Sequence, residues 1–200
     1  MINKIVKCIR NISKIMISRF LLVILIFVYS LKPVFSELDF KSEINEINAN
    51  VVFLRHSIAP GFGDPTNFKI DDCSTQRNLN KTGILQARSI GKFFIENNIE
   101  FSEILSSQWC RCKDTINEMN IGKWKTFPGL NSFFQNFSKK QIVLPLLYDK
   151  LKNVKNDELI LLVTHQIVIS EITNVSPPSG DIVIYNTKNK KAKLISNITN

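Results

Sequence analysis

Only two histidines occur in the 200-residue chain, and each follows a run of apolar residues. VVFL, residues 51–54, runs into Arg55-His56, and ELILLVT, residues 158–164, runs into His165. Neutral imidazole can attack phosphorus and hold it as phosphohistidine. Arginine forks match phosphate oxygens, and helix N-termini beside them add backbone donors. Arg55 precedes the first histidine, and Arg111 lies a few residues beyond the EILSS stretch at 103–107. A single histidine at a strand end is more often a satisfied structural residue. Both of only two, accompanied by two arginines, favour a phosphate site if their strands are parallel and end at one rim.

The elements that must bring them together can be read from hydrophobic patterning. Residues 50–54, 103–105 and 158–164 read as strands. Residues 83–97 carry Ile84, Leu85, Ala87, Ile90, Phe93 and Phe94 at helical spacing, with Asn80 or Thr82 as the cap. Residues 111–119 and 167–173 read as helices, and the apolar stretch 133–151 as a helix broken at Pro145. After SPPSGD, residues 182–185 and 193–198 read as a closing hairpin. Strands alternating with helices predict an α/β fold: one three-layer domain with a mostly parallel sheet, helices on both faces and an antiparallel edge near the C-terminus. Ligands of such sheets bind outside the carboxyl ends of the strands. Residues 57–80 carry no convincing element, and a loop of that length in a compact domain is usually functional. Gly61, Gly63, Pro65, Asp71, Asp72 and Arg77 give it the composition of an ordered active-site loop.

The first 36 residues differ from the rest. Lys4, Lys7, Arg10, Lys14 and Arg19 precede the apolar run FLLVILIFVYSL at 20–31, and VFS at 34–36 offers a cleavage site. This pattern describes a secretory signal over residues 1–36. The run is short for a membrane span, which needs roughly 20 residues; an uncleaved N-terminal membrane anchor is the alternative. Either way the domain is expected outside the cytoplasm, periplasmic or extracellular. Residues 37–49 read as a polar linker and 50–200 as the folded domain. With the six basic residues of 1–36 set aside, the formal charge of +9 falls to +3. No basic stripe remains to argue for nucleic acid as a partner.

Cys73, Cys110 and Cys112 remain after Cys8 is set aside. In an oxidising compartment one disulfide and one leftover thiol is the simplest arithmetic. Cys110-Arg-Cys112, with a distant third cysteine and no nearby histidine, lacks the spacing of a zinc site, so no metal is expected.

Four stretches, in order, resemble a known family: LRHSIAPG at 54–61, TQRNLNKTGILQAR at 75–88, ILSSQWCRCKDT at 104–115 and LLVTHQ at 161–166. They are similar to the successive motifs of the histidine phosphatase superfamily, which includes the cofactor-dependent phosphoglycerate mutases and acid phosphatases. The resemblance covers most of residues 50–186. It implies that His56 is the phosphate-accepting nucleophile, Arg55 and Arg111 phosphate ligands, and His165 the second core histidine. Arg77 falls near the start-of-helix motif, either reaching the phosphate or ordering the loop by an ion pair. A Cys73–Cys110 bridge would brace the site, because one cysteine lies in the loop feeding the pocket and the other adjoins Arg111. Ser57 stands where the family has glycine, and a small residue there could join phosphate binding.

The general acid is the main departure. Leu130-Asn131-Ser132 and Gln166 occupy the places where the family's two branches carry a carboxylate. Asp64, with Asp72 behind it, is the loop's candidate proton donor. The implied activity is phosphomonoester hydrolysis on a small phosphorylated substrate, without metal or organic cofactor. The alternative is a silent phosphate-binding module on the same fold.

Overall fold

A computed structural model of the chain describes residues 39–196 and 198. The elements run α1 (Phe40–Ile47), β1 (Val51–Arg55), α2 (Lys81–Glu96), β2 (Glu103–Ser106), α3 (Cys110–Met119), β3 (Lys125–Thr126), α4 (Lys140–Lys152), β4 (Ile160–Thr164), α5 (Gln166–Thr173), β5 (Ile182–Tyr185) and β6 (Ala192–Ile195). β1 is buried through Leu54 and β4 is buried throughout. Such unbroken apolar strands belong to a sheet covered on both faces. One six-stranded sheet results, in the order β3-β2-β4-β1-β5-β6. β1, β4, β2 and β3 are parallel, while β5 and β6 form the antiparallel edge.

Side chains alternate across this sheet. Val51, Phe53, Leu105, Leu162 and Val183 face the helices α4 and α5, where Leu147, Leu151, Val168 and Ile169 close the layer. On the opposite side α2 and α3 lie against one another. Gly91 makes that contact possible, because a Cβ there would stand 2.0 Å from the Met119 carbonyl oxygen. α2 begins where the sequence places its cap: the Asn80 side chain accepts from Gly83 N at 2.8 Å.

Register decides where the functional residues go. β1 and β4 are hydrogen-bonded neighbours with Arg55 opposite Thr164, so the residues that follow, His56 and His165, emerge side by side. His56 N donates to Thr164 O at 2.9 Å, and Ser107 N to Val163 O at 2.9 Å. Three strand ends thus meet on one rim.

Four details differ from the sequence reading. The expected linker contains α1, whose Asp39 side chain caps Ser42 N and whose Phe40 is fully buried. Phe40 meets Phe93 and Phe94 edge-on at 5.4 and 5.9 Å, so the folded unit begins before residue 50. α4 starts only at Lys140 and runs through Pro145 instead of breaking there, while Phe133–Lys139 is irregular. β3, two exposed residues long, has no apolar pattern to announce it. The last strand ends at Ile195 instead of 198. Residues 1–36, where the targeting segment is expected, lie outside the described residues. Among those described, no helix is long and apolar enough to cross a membrane.

Candidate active site

His56 leaves β1 almost fully buried, and its ring is fixed from behind. Nδ1 lies 2.8 Å from the carbonyl oxygen of Ser57. A carbonyl can only accept, so this contact places the proton on Nδ1 and leaves the Nε2 lone pair facing the cleft. Nε2 accepts from Arg111 Nε at 3.2 Å. Burial, and next the Arg111 guanidinium, hold the pKa of His56 well below the usual histidine value, with Arg55 and Arg77 adding to the effect. The ring is therefore neutral near pH 7, the form that can act as nucleophile.

His165 follows β4 with its ring centroid 5.4 Å from that of His56. Its Nδ1 faces Arg111 Nη2 at 3.3 Å, and a guanidinium can only donate. The proton then sits on Nε2, which donates to Ser107 Oγ at 3.0 Å. Ser107 passes the chain on to Asn131 Oδ1 at 3.2 Å. Burial, and then Arg111, likewise hold His165 well below its usual pKa.

Arg111 stands in the first turn of α3 and spans the site. Its Nη1 reaches both carboxylate oxygens of Asp64, at 2.8 and 3.1 Å. The two side chains are each only 4% exposed. Arg55 donates to Pro177 O at 2.9 Å, and its Nε is buried without a partner. Arg77 donates to the carbonyls of Gly63, at 2.9 Å, and Ala59. These groups open onto a cleft of about 400 Å³, lined by Arg55, His56, Arg77, Arg111 and His165 at its charged end. Three guanidiniums around two neutral imidazoles make an anion site. Among the described residues no cluster of three His, Cys, Asp or Glu is placed to hold a metal ion.

His56, Arg55, Arg111, His165, Arg77 and Asp64 all converge on the cleft; Ser57 does not. Ser57 is fully buried behind the histidine. Its amide donates to Thr115 Oγ1 at 3.0 Å, so its contribution is to aim His56 through the main chain. Asp64, the expected proton donor, reaches the cleft but is paired with Arg111. Burial would raise its pKa, but the Arg111 charge and hydrogen bonds from Arg77 N, Arg111 and Trp109 Nε1 outweigh it and hold the carboxyl below its usual value. Its ion pair fixes the Arg111 guanidinium, and the lowered pKa favours its ionised form. Asp72 is a turn residue, capping Ser74 N at 3.0 Å outside the cleft. Among the described residues no other carboxylate lines the cleft.

The disulfide joins Cys73 to Cys110 across 37 residues of sequence. It ties the 57–80 loop to the residue preceding Arg111. Gln76 adds a second tie, its Oε1 accepting from Cys110 N at 2.9 Å. Cys112 is free and fully buried beside His165, with its thiol pushed up to about 12, chiefly by burial. Ser107, Trp109 and Gln135 were not foreseen as site residues. Gln135 pairs with the main chain of Asp64 through both amide atoms, a contact no local sequence pattern encodes.

No protein-family model matches the chain, and no curated protein sequence does. Solved structures do. A candidate phosphohistidine phosphatase SixA from Agrobacterium tumefaciens gives a TM-score of 0.50 at 18% identity, covering 74% of this chain and 97% of that one. A phosphoserine phosphatase from Entamoeba histolytica, in complex with 3-phosphoglyceric acid, gives 0.49 at 14% identity, covering 73% and 94%. A protein histidine phosphatase SixA complexed with tungstate gives 0.48 at 17% identity, covering 72% and 93%. The chain has the histidine phosphatase fold, as its four ordered motifs implied.

Proposed function

We propose that the chain is an exported phosphomonoester hydrolase working through a phosphohistidine at His56. The observation that carries this is the hydrogen bond from His56 Nδ1 to Ser57 O: it leaves a neutral imidazole whose Nε2 lone pair, met only by Arg111 Nε, lies inside a cage of three guanidiniums. Nε2 attacks phosphorus and the bond to the leaving oxygen breaks. Arg55, Arg77 and Arg111 stabilise the phosphoryl oxygens in flight. His165, held by Ser107 and Arg111, stands beside them as the second imidazole. Water then attacks the phosphohistidine, releasing inorganic phosphate and restoring neutral His56. The route calls on side chains and water alone. Export is supported by the basic and apolar pattern of residues 1–36, and the Cys73–Cys110 bridge is in keeping with an oxidising compartment.

The absence of a protonated carboxylate among the cleft's described residues favours a second reading, a binding module that holds phosphate without turning it over. One experiment separates the two. The full-length protein is assayed on p-nitrophenyl phosphate beside His56→Ala, with vanadate binding followed by calorimetry. Loss of hydrolysis in the variant upholds the enzyme. Equal rates for the two proteins sink it, and tight vanadate binding without turnover selects the module.

A further inference from the structure

The cleft changes character from floor to mouth. Its floor is charged and enclosed: His56, Arg111 and His165 are only 2–3% exposed. Its mouth is aromatic and open, with Phe62 89% exposed and Phe134 and Phe137 also exposed. Phe62 sits between Gly61 and Gly63, both at positive φ, a turn that thrusts the ring outward. Gly63, at φ +68°, holds a backbone conformation that other side chains rarely adopt, and the Gln135 amide packs against it. Phe62 meets Phe134 edge-on at 5.0 Å. Phe137 is backed by Phe68, stacked at 4.5 Å, which stacks in turn on Trp109 at 4.9 Å. The rings at the mouth are therefore supported, and several loops contribute to them.

We propose that this cleft selects phosphate monoesters of flat aromatic alcohols, the phosphate on the guanidinium floor and the ring held between Phe62, Phe134 and Phe137. Two independent observations agree on this class, which rests on the phosphatase reading above. The first is the mouth itself. Outside the charged floor the lining is aromatic, apolar or uncharged, through Ser132, Gln166 and Ile167 among others. It offers no ion pair to a carboxylate or ammonium borne on the leaving group.

The second is the missing proton donor. As Nε2 bonds to phosphorus, the P–O bond breaks and its electron pair stays on the leaving oxygen. A phenol, with a pKa of about 10, departs as phenolate and takes its proton from solvent. An alkoxide, whose parent alcohol is about as weakly acidic as water at about 15.7, needs the proton that ionised Asp64 does not supply.

The test uses the full-length protein and two non-hydrolysable probes, phenylphosphonate and ethylphosphonate, with binding read by calorimetry. Phenylphosphonate is expected to bind roughly tenfold tighter, as two or three ring contacts imply. The Phe62→Ala/Phe134→Ala double variant should bring that ratio close to one while inorganic phosphate binds as before. Equal affinity of the two probes in the parent overturns the proposal, as does a ratio that survives the double variant.

A turnover arm compares phenyl phosphate with glycerol phosphate and phosphoserine. A preference of at least about a hundredfold for the aryl ester in kcat/KM is expected, and parity overturns the proposal. A phosphotyrosyl peptide run beside phenyl phosphate tells a protein-borne ring from a free one. The binding arm needs no turnover, so a protein that prefers phenylphosphonate yet hydrolyses nothing refutes the phosphatase and keeps the ring site.

Discussion

At the scale of single residues the site turns on how buried charge is compensated. Arg111 and Asp64 are nearly sealed from solvent, and breaking a buried pair strands the remaining charge. Asp64→Ala should therefore lower stability by about 3–5 kcal/mol in urea titration. If Asp64 only orients Arg111, the slope of log kcat/KM against leaving-group pKa should be the same in Asp64→Asn as in the parent. A slope that steepens in the variant would make Asp64 a proton donor after all. The histidines give a pH prediction. Both have folded pKa values held well below the unfolded value of about 6.5, so the unfolded chain takes up protons first as pH falls. Their contribution to stability is complete above about pH 6.5 and declines below it. Asp64, also depressed, adds a loss at still lower pH as it protonates through its folded value. The urea midpoint should fall steadily from pH 7 to pH 5, and a flat profile would refute neutral buried imidazoles. His56, Arg55, Arg111 and His165 were legible in sequence because strand ends and spacing mark them. Ser57 and Asp64 were named, but the contacts that hold them, to Thr115 and Arg111, were not legible because those partners are distant in sequence.

At the scale of elements, position is enforced by close approaches. A Cβ on Gly83 would stand 2.0 Å from Ile58 O, which presses the start of α2 against the chain just past His56. Gly91 does the same between α2 and α3, the helix that carries Arg111. Gly91→Ala is expected to cost about 1–3 kcal/mol by overpacking, and to weaken phosphate binding as α3 shifts. Unchanged thermal midpoint and phosphate affinity would show that the helices can part without effect. The bridge between Cys73 and Cys110 closes a long loop, which the chain-entropy account values at about 3–4 kcal/mol. Cys73→Ser should lower the urea stability by that order. The strand and helix elements were readable because their apolar periods are strong. α1 was missed because only Phe40 and Ile47 of its eight residues are buried, and β3 because two residues make no pattern.

For the molecule as a whole, α1 makes the folded unit larger than the motifs suggest. Phe40 is fully buried against Phe93 and Phe94, and Phe40→Ala should cost about 3–5 kcal/mol, measured by chemical denaturation. A loss below about 1 kcal/mol would mean that α1 is dispensable to the fold. The overall layering was legible because alternating strands and helices admit few arrangements. The aromatic mouth was not, since Phe62, Phe134 and Phe137 meet only through tertiary structure. The free cysteine has a consequence for how this architecture is reached. The three cysteines among the described residues allow three single-bridge pairings, and shuffling among them needs an attacking thiolate. Once folded, Cys112 is sealed in the core and burial pushes its thiol up to about 12, so at pH 7 it stays protonated and is a poor nucleophile. Folding thus disarms the one unbridged sulfur among the described residues, and formation of the Cys73–Cys110 bridge becomes a ratchet.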